Sequence, residues 1–266
     1  MGESTGIRFA AFTKPFMSLS AQELGEGLRE IGFDAIELCV RDGYPVSPKE
    51  APEKLPAFVQ EMKEYGLEAV CAGAPLCEEV FAGCQAAGIP LIRTLVPLNT
   101  ALPYAQALDQ ARRELEPAAH LAERYGVAVG IQHHYGPMLN NSTQLAAFLQ
   151  DYPPEICAAV WDSAQSILAG EECEQALDQV YPRLGMVNLK NVYYRRSNGT
   201  EAEKAQYERW FTTGRQGMAD WGRILRYLRG HGYQGPICLT HEYSGQSELK
   251  RLLREDLEYA RQCLRN

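Results

Sequence analysis

A chain of 266 residues, 45% hydrophobic and 23% charged, has the make-up of a soluble globular protein and the length of one large domain. Its formal net charge of -8 argues against a general affinity for nucleic acid or an anionic membrane surface, and no apolar run approaches the ~18 residues of a membrane helix. The opening Met1-Gly-Glu-Ser-Thr-Gly6 lacks the basic-then-apolar layout of a secretion signal, and the 8 Cys include no CxxC pair, so a cytoplasmic protein with reduced thiols is expected.

In chain order, Ile7–Phe12 predicts a first strand. A helix from Ser20 to Ile31 follows, with Ser20 as N-cap, Glu23 at the capping-box position and Gly32 as the stop. The run 32–40 turns into a second strand carrying Glu37, and a Pro-rich loop leads to a helix from Glu53 to Tyr65. Leu67–Ala72 is a third strand, Glu78–Ala87 a helix, and Ile89–Val96 a fourth strand with Arg93 inside it. The longest helix runs from Tyr104 to Tyr125 and ends at Gly126.

The second half repeats the rhythm. Strand Ala128–Gln132 precedes a helix at Thr143–Leu149, strand Ile156–Asp162 precedes helical Glu174–Tyr181, and Gly185–Val192 is a seventh strand. A long polar loop, Tyr193–Ala219, leads to a helix at Asp220–Arg229, a last strand at Pro236–Thr240 and a closing helix from Gln246 to Leu264. Eight strands alternating with eight helical patterns predict a parallel (β/α)8 TIM barrel, one domain over residues 1–266. Cys39, Cys71, Cys157 and Cys238 fall in the strand runs, where buried structural thiols are expected.

In such a barrel the residues at the C-terminal strand ends face the active-site mouth. Val127-Ala-Val-Gly-Ile-Gln-His-His-Tyr135 is the clearest case, an apolar run that passes into Gln132, His133 and His134. Alternation along a strand points only one of the two histidines inward. Asp162, Asn188, Lys190 and Glu242 occupy corresponding ends. Carboxylates are rarely buried without a partner, so Asp162 and Glu242 read as functional. Lys190 either carries a proton or neutralises one of them. Glu37 faces substrate or pairs with Arg93, and Trp161 is a stacking wall for a ligand ring or plain core. Arg215, in a Gly-flanked loop, clamps a phosphate or carboxylate or is simply solvated. Trp221 reads as helix packing. Tyr193-Tyr-Arg-Arg196 is too short a basic run to mark a nucleic-acid surface in an acidic chain.

These pieces, in this order, resemble the xylose isomerase-like TIM barrels, a broad group of sugar-phosphate isomerases and epimerases. The resemblance rests on Gly32-Phe-Asp-Ala-Ile-Glu-Leu38, Gly-Ile-Gln-His-His134, Val-Trp-Asp162, Val-Asn188-Leu-Lys190-Asn191, Gly214-Arg-Gln-Gly217-Met-Ala-Asp220-Trp221 and Gly232-Tyr-Gln-Gly-Pro-Ile-Cys-Leu239 with Glu242. It implies a divalent metal (Mn, Mg or Zn) held by Glu, Asp, His and Glu from strands five to eight. The matching residues here are Gln132, Asp162, Asn188 and Glu242, so two of the four ligands are kept and two become neutral amides. The family's His three residues after the sixth-strand Asp is Gln165 here, and its Asp after the seventh-strand Lys is Asn191.

Amides bring a carbonyl oxygen but no charge, which weakens a divalent site without forbidding it. An amide cannot move a proton, so a two-glutamate mechanism is excluded at Gln132. The resemblance then implies a sugar or sugar-phosphate isomerase or epimerase using Glu242 with His134 or Lys190, and Gln132, Asn188, Arg215, Glu37 and Trp161 against the substrate. Two alternatives stand: a non-catalytic sugar-binding barrel, and a lyase or hydratase acting on an oxidised sugar or cyclitol. The family's endonuclease branch uses far more His and carboxylate ligands than a chain with 5 His supplies, which argues against DNA repair. Members are often dimers or tetramers; the helical faces leave the oligomeric state of this chain open.

Overall fold

A computed structural model describes residues 6–245 and 248–265. The opening residues 1–5 and the predicted helix start at Gln246 lie outside the described residues. The barrel strands are β1 (Phe9–Phe12), β2 (Ala35–Cys39), β3 (Glu68–Gly73), β4 (Leu91–Leu95), β5 (Ala128–Gln132), β6 (Cys157–Asp162), β7 (Leu184–Leu189) and, last in the ring, β10 (Ile237–Leu239). All pair in parallel and close as β1-β10-β7-β6-β5-β4-β3-β2. The helices α1 (Ala21–Ile31), α2 (Ala51–Glu64), α3 (Glu78–Ala87), α4 (Tyr104–Tyr125), α5 (Ser142–Leu149), α6 (Ser163–Leu168), α7 (Cys173–Val180), α8 (Trp221–Gly230) and α9 (Leu249–Arg265) connect the strands.

Local chemistry sets these boundaries. Ser20 accepts from Glu23 N while Glu23 reaches back to Ser20 N, so both ends of the predicted capping box are made. Gly32, at φ 105°, stops α1 in a conformation that a side chain resists. The main core lies between strands and helices, with Trp161, Trp221, Phe81 and Phe148 fully buried. A second, smaller cluster fills the barrel itself with Ala10, Ala35, Cys71, Ala158, Val160 and Cys238 among its members. Small side chains inside the ring leave room for polar groups at the mouth.

Two elements differ from the expectation. Residues 193–219 are not a continuous loop: β8 (Asn191–Arg196) and β9 (Tyr207–Thr212) form an antiparallel hairpin that pairs Tyr193 with Trp210 and Tyr194 with Arg209. The seventh barrel strand accordingly ends at Leu189 rather than Val192. The other is α6, a six-residue helix that starts directly after β6 because Asp162 caps it, with Oδ1 accepting from Ala164 N and Gln165 N at 3.0 Å each.

Candidate functional site

The C-terminal strand ends open into a cleft of about 460 Å³ whose walls include Lys14, His134, Tyr135, Lys190, Phe211 and Glu242. Glu242 follows β10. His241 before it is buried at φ 47°, a left-handed turn unusual for a residue with a side chain, and its ring packs near Phe16 (6.1 Å) and Phe33 (6.0 Å). That turn presents Glu242 to the cleft. Its Oε1 pairs with Lys14 Nζ at 2.6 Å and its Oε2 with Lys190 Nζ. Burial opposes the charge, but the two ammonium groups outweigh it and hold the carboxyl down at about 2. Lys190 is nearly buried, its Nζ 4.3 Å from the centre of the Phe211 ring.

Beneath the cleft a polar chain crosses the barrel. Glu37, fully buried on β2, pairs with Arg93 Nε and accepts from Cys238 Sγ at 3.2 Å. Arg93 Nη1 continues to Gln132 Oε1 at 2.6 Å, and Gln132 Nε2 to Asp162 Oδ2 at 2.7 Å. Gly73 makes this possible: a Cβ there would stand 3.1 Å from Arg93 Nη2 and 3.2 Å from Glu37 Oε1. Asp162 is fully buried, and burial raises its carboxyl against the lowering effect of Lys190 and its helix-capping N–H bonds. Asn188, opposite Asp162 in the register, is buried with neither amide atom bonded among the described residues.

The histidines divide as alternation requires. His133 is buried, its ring centre 6.4 Å from that of Trp161, and burial lowers it to about 3. His134 lines the cleft. Its Nδ1 sits 3.0 Å from the Tyr135 carbonyl oxygen, an acceptor, so Nδ1 carries the proton and Nε2 is the basic nitrogen. Burial lowers His134, with Lys190 adding to the effect, which keeps the ring neutral near pH 7. Tyr135 N donates to Gln165 Oε1 at 2.9 Å, so the residue at the family's histidine position braces the β5 loop.

Four expected substrate contacts lie elsewhere, Gln132 among them with its amide spent on Arg93 and Asp162. Trp161 is fully buried and donates from Nε1 to Ser142 Oγ at 3.2 Å; on β6 it points opposite to Asp162 and belongs to the outer core, not to a sugar wall. Glu37 is engaged by Arg93 rather than open to the cleft. Arg215 faces α9, 4.1 Å over the Tyr259 ring and donating to Gln262 Oε1 at 3.1 Å. The cause is Asn191, whose Nδ2 donates to Gly214 O and Ala219 O and whose Oδ1 accepts from Ala219 N, all within 2.9 Å. This staple folds the loop down on Trp221. A Cβ at Gly217 would stand 2.0 Å from Asn191 Oδ1, and one at Gly214 2.4 Å from Trp221, so the glycine motif serves packing.

Sequence reasoning missed Lys14, Tyr135 and Phe211. Lys14 lies two residues past β1 and meets the same strand-end criterion that selected the others. Phe211 sits in the run Tyr207–Thr212, whose aromatic and Thr content favours a strand although its apolar residues do not alternate.

The family model for the xylose isomerase-like TIM barrel matches residues 26–263. No curated protein matches the sequence. Similar solved structures include the probable 3-DHS dehydratase AsbF of Bacillus anthracis, involved in petrobactin synthesis, at 15% identity and TM-score 0.75, covering 94% of this chain and 97% of that one. The 3-keto-D-glucoside 4-epimerase YcjR of E. coli is also 15% identical, with TM-score 0.74 and coverage of 97% and 100%. A D-psicose 3-epimerase solved in the presence of D-fructose gives 15%, 0.70 and the same coverage. At such identity the structural likeness speaks for the fold, and the family match carries the assignment. The chain belongs to the xylose isomerase-like TIM barrel family.

Proposed function

We propose that this barrel is an isomerase of a sugar or sugar derivative that moves a proton beside a carbonyl without a divalent metal. One observation carries the reading: a carboxylate, Glu242, set between two lysines beside a neutral histidine in an open cleft.

Of the residues at the four family metal positions only Asn188 has its oxygen unbonded among the described residues; the other three do not fit manganese, magnesium or zinc as they stand. Gln132 Oε1 already accepts from Arg93, Asp162 accepts from Gln132 and two backbone N–H groups, and both oxygens of Glu242 hold ammonium groups. Three cations, Arg93, Lys190 and Lys14, already balance Glu37, Asp162 and Glu242, so a dication would leave two charges uncompensated in a partly dry site. No step is therefore assigned to a metal.

In the proposed reaction the substrate carbonyl oxygen accepts from Lys190 Nζ. Drawing that ammonium off Glu242 raises the basicity of the carboxylate at the moment it is needed. Glu242 removes a proton from the neighbouring carbon, and the negative charge that develops on oxygen faces Lys190, an arrangement worth about 3–4 kcal/mol in other enzymes. His134 Nε2 relays the proton between the two oxygens, and Glu242 returns the first proton to the former carbonyl carbon. A single carboxylate suits this isomerisation better than an epimerisation needing proton donors on both faces. Lys190 thereby acts as an electrostatic partner.

The test is deuterium incorporation from D2O next to the carbonyl of a panel of ketoses, ketose phosphates and keto-acids. Wild-type protein is expected to exchange at least one, and Glu242→Gln to lose it by about 10³-fold or more. Exchange that persists in Glu242→Gln sinks the assignment. Binding without exchange supports the sugar-binding barrel, and loss of water supports the lyase.

A further inference from the structure

The hairpin carries a guanidinium at the cleft rim that the fold does not use. Arg209 lies on β9 two residues before Phe211, so strand alternation puts both side chains on the hairpin face that meets the mouth. That face is fixed in place: Phe211 N donates to Ser244 Oγ at 3.0 Å, and Ser244 N to Phe211 O at 2.9 Å, beside Glu242. The Arg209 guanidinium carbon stands 4.0 Å from the centre of the Tyr135 ring, which is itself a cleft wall. Among the described residues no carboxylate pairs with Arg209. Arg195, on the opposite hairpin face, is by contrast engaged by Glu208 and stacked 3.4 Å over Trp210.

The charge around the mouth is therefore out of balance with the chain. Lys14 and Lys190 share one carboxylate, and Arg209 adds a cation with none. With the deeper Glu37, Arg93 and Asp162 included, four cations face three carboxylates, in a protein whose formal net charge is -8. A cationic concavity on an acidic chain concentrates anions. A guanidinium over an aromatic ring keeps N–H donors that can take a carboxylate or phosphate in bidentate fashion.

We infer that the ligand of this mouth is an anion, a polyhydroxy carbonyl compound bearing a carboxylate or phosphate, and that Arg209 on the face of Tyr135 binds the acid group. The inference rests on the proposed function only for the carbonyl end of the ligand; the acid end is a matter of binding. The guanidinium holds the acid group at the rim and leaves the carbonyl to reach Lys190 and Glu242 below.

Calorimetry with D-fructose, D-fructose 6-phosphate, D-fructuronate and inorganic phosphate tests this on the full chain, for wild type, Arg209→Ala, Arg209→Lys and Arg195→Ala. At least one of the three anions is expected to bind wild type about 10- to 100-fold tighter than fructose. Arg209→Ala should lose that preference, Arg209→Lys recover part of it, and Arg195→Ala, which removes the same charge from the opposite face, keep it. Phosphate and carboxylate sources separate according to which anion gains. Equal affinity for fructose and every anion, no binding of any anion, or equal losses in Arg209→Ala and Arg195→Ala each overturn the inference. Because the readout is binding, anion preference without isotope exchange leaves this inference standing and removes only the isomerase reading.

Discussion

A carboxylate taken out of water needs a partner, and fully buried Glu37 has the Arg93 guanidinium. Arg93→Met should lower stability by about 3–5 kcal/mol in urea unfolding, because Glu37 is left charged and alone, whereas Glu37→Leu with Arg93→Met together should cost less than the single change. A single change milder than the double one contradicts the pairing. Asp256, buried on α9, accepts from Gly214 N at 2.8 Å and Tyr243 Oη at 2.7 Å, tying the loop after the hairpin to the residue next to Glu242. Burial raises its carboxyl from 3.8 to about 6 despite those bonds. The folded state thus keeps a proton that the unfolded chain has released, so this contribution to stability is full below about 4 and is lost as pH rises through about 6. Asp256→Asn removes the titration; relative to wild type it should gain about 2 kcal/mol between pH 4 and pH 7.5 in denaturant unfolding. A difference that stays flat over that range contradicts the raised carboxyl.

At the scale of elements, the hairpin separates into a working base and a dispensable tip. None of residues 195–208 is buried, while Phe211 and the Ser244 bridge lie at its foot. Tyr194 and Arg209 are register partners, so an Asn-Gly turn joining them in place of 195–208 fits a two-residue hairpin. The shortened chain should keep its stability within about 1 kcal/mol and keep its anion binding; loss of either shows that the tip contributes. Most elements were legible in the sequence because their signals are local: α3, α4 and β5 lie where helix caps and the apolar run placed them. The hairpin was not, since polar side chains on an exposed strand pair read as loop. The α6 helix was hidden for a different reason, its cap Asp162 having been read for chemistry alone. Strand-end position pointed to Glu242, Lys190 and His134, which line the cleft, and to Gln132, which lies in the polar chain beneath it. It left Trp161 between wall and core and Arg215 between clamp and solvent, because a linear sequence does not show which face of β6 or which side of a folded loop a side chain takes.

At the scale of the whole molecule, the barrel keeps its family's architecture and changes what balances charge at its mouth. Guanidinium and ammonium groups from β4, β7 and the loop after β1 stand against the carboxylates of β2, β6 and the β10 end. Among the described residues no helix is long and apolar enough to cross a membrane, and no group of three or more His, Cys, Asp or Glu side chains comes together to hold a metal. In the proposed function this cation-rich mouth moves a proton without a metal. This is tested most directly by deuterium exchange into the reactive sugar derivative after exhaustive chelation, followed by addition of Mn²⁺, Mg²⁺ or Zn²⁺. The exchange rate is expected to be unchanged by chelation and raised no more than about twofold by any of the three metals. Exchange that disappears with the chelator and returns with one metal would contradict the proposed function.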